Sequence, residues 1–432
     1  MGYLDPIVLD TLGHYRRQAA SLLIYQAVLD TPPSQAFLHL LGVLEAGESE
    51  VILRAYGRWF TTLANAQQTW QSHLIQQILR AENGFTHQIQ QSSLEALPPA
   101  LVNAVRHDLQ ALQQLYLCQG NQLSIWVRQA AQMAETPVVW DADTIQAPVA
   151  FPSLPDWSTG LAELADYYQQ KGIGLFADYR VLRWQQGELV GIAYPDESRL
   201  DQLVGYALPK QTLIQNTEFL LSGFTALHVL LYGSRGSGKS SLVKALANHY
   251  GDRGLRLIEV TKADLYHLPH IVEQLRSVPQ KFIIFVDDLS FEEDDEAFKA
   301  LKVVLEGSVT ARPQNVVVYA TSNRRHLIRE FFGDRPRPSD ADEIHNWDTV
   351  QEKLSFSDRF GLTLTFEPAD QSTYLEIVRH LAAQAQLNIS PEDLEYRSLQ
   401  WATRRNGRSG RTARQFIDYL TAELATTNNS TR

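Results

Sequence analysis

The sequence predicts an α/β fold: a parallel sheet with helices on both faces, preceded by a helical N-terminal domain and a β-hairpin segment and followed by a small C-terminal helical lid. Three observations carry that expectation. From about residue 200, short apolar runs alternate with helical stretches, the pattern of a parallel sheet joined by crossover helices. One of those runs, 228–232, leads into a glycine-rich turn and then a helix. Before about 158 and after about 368 the periodicity is helical, with no strand-like run.

Composition bounds the possibilities. At 432 residues the chain exceeds the size at which one core stops growing, so several domains are expected. With 44% hydrophobic and 20% charged residues it reads as a globular protein. No apolar run approaches the ~20 residues of a membrane span. Asp5 and Asp10 flank the first apolar stretch and no basic leader is present, so a cytoplasmic location is expected. The single cysteine, Cys118, excludes an intrachain disulfide and a thiolate metal cluster. A net charge of −11 argues against a protein that coats nucleic acid. Residues 1–150 contain no lysine, a composition shift that supports separate domains.

Taken in order, apolar spacing predicts helices over 4–29, 34–46, 49–81, 99–117 and 121–134, punctuated by Pro32-Pro33 and Pro98-Pro99. These form a helical domain, 1–135, in which the aromatic and leucine positions read as core. Prolines at 137, 148, 152 and 155 mark 136–158 as a linker or a loop draped over a neighbour. A helix at 159–171 and β-like runs 174–184 and 189–194 make up 159–199, with Gln185-Gln186-Gly187 as the hairpin turn. The α/β core spans 200–367, with strands at 228–232, 255–260, 281–286 and 315–320. The lid, 368–432, carries helices near 370–386, 391–404 and 410–425.

The chemistry gathers in the core. Gly233-Ser234-Arg235-Gly236-Ser237-Gly238-Lys239-Ser240 matches G-x-x-x-x-G-K-[ST] between a strand and a helix. Glycines let backbone amides converge on phosphates, Lys239 reaches the β- and γ-phosphates, and the Ser240 hydroxyl ligates Mg2+. Ser241 follows on the same helix turn. The apolar strand 281–286 ends in Asp287-Asp288, placing Asp287 for the metal and Asp288 for the attacking water. The strand 315–320 ends in Thr321-Ser322-Asn323, where Asn323 could hold water or the γ-phosphate, although such residues are also turn chemistry. The acidic run 292–296 reads as a solvated face. His228, His249 and His326 are isolated, so core or surface roles are expected for them.

With these elements in order, residues 198–425 resemble the AAA+ ATPases, and within them a bacterial group defined as a domain of unknown function. The segments that carry the resemblance include LVGY (203–206), LLYGSRGSGKSSLVKAL (230–246), FVDDLSFE (285–292) and SDRFGLTLTF (357–366). The last is similar to the corresponding segment of bacterial replication initiators, which with the helicase loaders also carry Asp-Asp in the second motif. The resemblance implies that Val204 and Gly205 line an adenine pocket and that Asn323 is the sensor-1 residue. It implies that Arg359 is an arginine finger reaching a neighbouring subunit, and Arg411 the lid arginine, with Arg414 as its fallback. Arg404, Arg405 and Arg408 are left without a role, as a basic cluster able to bind nucleic acid or to serve the lid. Many AAA+ motors have Glu where Asp288 stands, which implies slow or switch-like turnover. Tyr266-His267-Leu268 lacks the glycine of an aromatic pore loop.

The expected function is ATP and Mg2+ binding with hydrolysis that drives or gates remodelling or loading of a protein or nucleoprotein partner. The alternative is an ATP-gated scaffold with little turnover. A homo-oligomer and a protein partner recruited by the helical region are expected; nucleic acid is not specifically indicated, and no membrane is.

Overall fold

A computed structural model describes residues 4–141, 149–291, 296–306, 311–323, 356–405 and 407–430. The chain divides into two compact units, Met1–Asp178 and Tyr179–Arg432. Most of the acidic run 292–296 and His326 lie outside the described residues.

The first unit is helical: α1 (Pro6–Ala20), α2 (Pro32–Ala46), α3 (Ser49–Ala66), α4 (Trp70–Leu79), α5 (Gly84–Ile89), α6 (Pro99–Leu117), α7 (Gly120–Ala130), α8 (Leu161–Lys171) and the short α9 (Gly174–Asp178). Its core is built on aromatics. Trp70 stacks on Phe37 at 4.1 Å between ring centres and donates its indole N–H to the Leu115 carbonyl. Two expected helices end early, each for a visible reason. Helix α1 stops at Ala20 because the amides of Leu23, Ile24 and Tyr25 turn onto the buried carboxylate of Asp108, at 2.6–2.9 Å. Those bonds satisfy a charge that burial would otherwise penalise. The expected helix 49–81 is broken by Gln67, whose φ of 53° caps α3 in the left-handed region.

The proline-rich stretch is a draped loop in its described parts. The Val138 carbonyl accepts from the Tyr56 hydroxyl, Trp157 is fully buried, and Trp140 and Leu154 pack on the same core. The expected segment 159–199 is divided between the units. Helix α8 buries Leu164 and Tyr168 in the first core. The run expected as strand from Gly174 starts as helix, because the Gly174 amide bonds Arg80 and Asp178 pairs with Arg80 at 3.2 Å. Only from Val181 does the chain enter the sheet.

The second unit holds a seven-stranded sheet: β1 (Val181–Gln185), β2 (Glu188–Gly191), β3 (Val229–Gly233), β4 (Leu255–Glu259), β5 (Lys281–Val286), β6 (Val316–Ser322) and β7 (Leu362–Phe366). Their order is β2-β1-β4-β5-β6-β3-β7, parallel throughout except for the β1–β2 hairpin. That hairpin turns at Gln186 (φ 54°) and Gly187 (φ 87°), both in the left-handed region that a two-residue turn of this hand requires. Strand β7 extends the sheet beyond β3; its T-L-T alternation carries too few apolar residues to stand out as a buried strand.

The sheet is covered on both faces. One face buries Val229, Leu231, Leu257, Phe285, Val317 and Leu364 against α10 (Ala207–Leu221) and α11 (Lys239–Tyr250). On this face the Tyr319 hydroxyl bonds Asn216 and Thr217 at 3.0 Å, and burial pushes its pKa up to about 12. Residues of the opposite parity, among them Leu230, Ile258 and Ile284, are fully buried too, and α12 (Leu268–Leu275) and α13 (Glu296–Glu306) pack against one another. The helices α14 (Gln371–Gln384), α15 (Pro391–Arg404) and α16 (Gly410–Ser430) form the lid around Tyr374, Val378, Phe416 and Leu420. Strand β3, which feeds the glycine-rich loop 233–238, lies between β6 and β7, and the helical lid follows β7. Among the described residues, no helix is long and apolar enough to cross a membrane.

His73 on α4 is 4% exposed, and burial, aided by Arg80, lowers its pKa to about 4. Between pH 6.5 and 4 the unfolded chain therefore binds a proton at this residue that the folded chain does not. Stability of the first unit should fall as pH drops through that window. Urea unfolding followed by tryptophan fluorescence should show a shallower pH dependence in His73→Gln.

Candidate functional site

Strand β3 ends at Gly233, where a side chain is impossible: φ is 140° and an added Cβ would lie 1.9 Å from the Phe366 carbonyl oxygen. The Ser234 amide donates to that same oxygen, so β7 sets where the phosphate loop begins. The loop then turns through Gly236 (φ 77°) and Gly238 (φ 88°) into α11. Lys239, the first residue of α11, is 6% exposed and folds back onto the loop. Its Nζ donates to the carbonyls of Gly233 and Ser234 at 3.0 and 2.8 Å and to the Ser237 hydroxyl at 3.3 Å. Burial lowers its pKa, while Asp287 and Asp288 oppose that shift. An anion in the loop would favour the charged ammonium further.

The ends of β5 and β6 supply the carboxylate side. Asp287 Oδ1 accepts from the Ser240 hydroxyl at 2.7 Å and from the Thr321 hydroxyl at 2.5 Å. A hydroxyl beside a carboxylate at the lip of a phosphate loop is the oxygen donor set that suits Mg2+. Asp288 has a φ of 51°, a strained conformation for a residue with a side chain. Two hydrogen bonds hold it there: its amide donates to Thr321 Oγ1 at 2.9 Å, and its carboxylate accepts from Asn323 Nδ2 at 2.6 Å. The Leu289 amide bonds the Thr321 carbonyl and the Ser322 hydroxyl bonds the Leu289 carbonyl, so the two strand ends are laced together.

These groups border one cleft of about 740 Å³. Its apolar wall comes from two places, Leu203 and Val204 before α10 and Ile377 and Leu381 on α14 of the lid. The lid also touches the phosphate loop directly. The Arg411 amide donates to the Gly236 carbonyl at 3.2 Å, and a side chain at Gly236 would meet Ser409 Oγ at 2.8 Å.

The structure thus brings together Val204, Arg235, Gly236, Ser237, Gly238, Lys239, Ser240, Ser241, Asp287, Asp288, Asn323 and Arg411 around one cleft, and Arg414 joins Arg411 there. Gly233 and Ser234 contribute through their carbonyls. Gly205 (φ 81°) packs on Thr373 and does not border the cleft. Arg359 is also outside it: at the end of a short 3-10 turn before β7, it forms an ion pair with Glu306 of α13 in the same chain. Sequence reasoning missed the roles of Thr321, Ile377 and Leu381. Thr321 belongs to the polar end of a strand that the sequence does mark, but its partner is visible only once the β5–β6 register is known. Among the described residues no group of three or more His, Cys, Asp and Glu could hold a metal ion, and His228, just before β3, is buried with its Nδ1 accepting from the Val318 amide.

Comparison with solved structures finds the Thermotoga maritima RuvB Holliday junction branch migration motor, at 14% identity over 52% of this chain and 72% of that one, with a TM-score of 0.31. It also finds the replication initiator DnaA bound to AMPPCP and single-stranded DNA, at 16% identity over 55% and 70%, with a TM-score of 0.37. No curated protein sequence matches. A family profile matches residues 177–424, more than half of the chain, from the edge of the sheet to the last lid helix. By that match the chain belongs to the family described as "Protein of unknown function (DUF815)".

Proposed function

We propose that this cleft binds ATP with Mg2+ and that the chain hydrolyses it slowly, using the cycle to drive or gate remodelling or loading of a protein or nucleoprotein partner. The observation that carries the reading is the Ser240–Asp287–Thr321 cluster at the mouth of the Lys239 loop, with the Asp288–Asn323 pair beside it. Ser240 and Asp287 would hold the metal, which when bound neutralises charge on the β- and γ-phosphate oxygens. Lys239 exchanges its loop carbonyls for phosphate oxygens. Asn323 occupies one oxygen of Asp288, leaving the other to orient water. Leu203, Val204, Ile377 and Leu381 give the adenine ring an apolar slot between core and lid. Arg411 and Arg414 approach the phosphates from the lid.

Arg359 acts in a neighbouring copy of the chain in this reading, and its pair with Glu306 must open for it to do so. The first unit recruits the partner. A second reading, an ATP-gated scaffold with little turnover, draws support from Asp288, whose short side chain is already engaged by Asn323. Steady-state phosphate release separates the two, since a scaffold releases almost none even with its partner present.

Three outcomes are expected. Lys239→Ala should lose ATP binding by titration calorimetry, and retained micromolar affinity would refute the site. Thr321→Val removes one hydroxyl from Asp287 and from the Asp288 amide; turnover should fall about 10-fold or more, with thermal unfolding nearly unchanged. Arg359→Ala should keep ATP binding yet lose concentration-dependent hydrolysis, by ~10³–10⁵ if the reaction depends on a trans arginine. A mutant still active independently of concentration would rule the trans role out.

A further inference from the structure

Arg405 and Arg408, two of the three arginines to which the sequence assigns no role, border a second cleft. It has a volume of about 650 Å³ and a floor of Pro368, Ala369 and Ala402. Arg235 from the phosphate loop, Arg405 and Arg408 from the turn between α15 and α16, and Arg411 from the first turn of α16 all face it. Among the described residues no carboxylate lines it, and none of these four guanidinium groups has an ion-pair partner.

That absence is informative in this chain. With 49 acidic against 38 basic residues, carboxylates are in surplus. Elsewhere in the same unit arginines find them: Arg183 pairs with Glu259, Arg253 with Glu218, Arg379 with Glu395 and Arg397 with Glu423. The last two are on the lid itself. Four like charges gathered in one concavity repel one another and raise the local potential, which an incoming polyanion relieves. Guanidinium forks match phosphate oxygens with two parallel hydrogen bonds each.

The lining also narrows the class of anion. Among the described residues it contains no aromatic ring and no carboxylate, so a free nucleotide would find no described group inside to stack or read its base. Rings lie just outside instead. Arg405 Cζ sits 5.1 Å above the Trp401 ring, and Trp401 lies 5.1 Å from Tyr419, which is 55% exposed. Phosphates within and one exposed ring, Tyr419, beyond Trp401 suit a strand whose bases point outward.

We propose that this cleft binds the phosphodiester backbone of a single-stranded nucleic acid, without base specificity. The proposal does not rest on ATP hydrolysis: a chain that failed to bind or turn over ATP would keep the same four cations.

The test uses the full chain without nucleotide and fluorescence anisotropy of labelled DNA and RNA strands of about 20 nucleotides, the length of a few single-strand binding sites. Wild type should bind at least one of them with affinity that falls between about 50 and 200 mM salt. Arg405→Glu/Arg408→Glu should weaken binding at least ~10-fold and reduce the salt slope by about 0.7 for each phosphate that is no longer neutralised. Arg405→Gln/Arg408→Gln, which removes charge without reversing it, should give an intermediate loss and covers the case in which the Glu pair fails to fold. Thermal unfolding of each variant checks the fold. Absence of wild-type binding to both strands would overturn the proposal. So would unchanged affinity in a folded variant, or displacement of the labelled strand from the Lys239→Ala chain by inorganic tripolyphosphate at equal affinity, which would make the cleft a small-anion site.

Discussion

The Thr321 hydroxyl donates to Asp287 while accepting from the amide of Asp288, and through it the end of β6 holds the end of β5. Much of the candidate site follows from that junction. Asp287 is held beside the Ser240 hydroxyl, so the loop after β3 is tied into the same network. Asp288 is kept in a left-handed conformation that a residue with a side chain adopts only when its surroundings impose it. Asn323, two residues beyond Thr321, then meets the Asp288 carboxylate. Three strands that are far apart in the chain deliver their polar ends at one level because the parallel register aligns them.

The sheet order explains why the cleft forms where it does. Strand β3 lies between β6 and β7, while the crossover that follows it runs across to β4. Ligands of open α/β sheets bind at the carboxyl ends of strands where such connections diverge. Here the approach is close enough that Gly233 admits no side chain against β7. The lid closes the remaining side by placing a backbone hydrogen bond, from Arg411 to Gly236, on the loop itself. A movement of the lid and a change in the phosphate loop are therefore mechanically linked.

The unit boundary at Asp178 also has a local cause. Arg80 holds both ends of α9, through its carbonyl to Gly174 and its guanidinium to Asp178. After two intervening residues the chain becomes β1, whose partner β4 lies in the second unit. Apolar spacing could not separate these fates, since Gly174–Trp184 reads as one β-like run. Asp108 shows the same limit: the end of α1 is set by a carboxylate 85 residues away.

By itself the sequence determined what depends on local chemistry. The glycines from Gly233 to Gly238, with Lys239 and Ser240, are legible because a glycine-rich turn between a strand and a helix is written in residue types at fixed spacing. The strand ending in Asp287-Asp288 is legible because a buried run must be apolar and its polar end marks where it leaves the core. The lid helices show in their periodicity. Tertiary structure alone decided which groups meet. Thr321 became a hinge of the site through strand register, Ile377 and Leu381 became its wall through lid docking, and Arg359 met Glu306 through the packing of α13 beside β7. It also gathered Arg235 with Arg405 and Arg408 in one cleft, from segments 170 residues apart. Such meetings depend on where separate segments dock, and residue spacing along the chain carries no record of that.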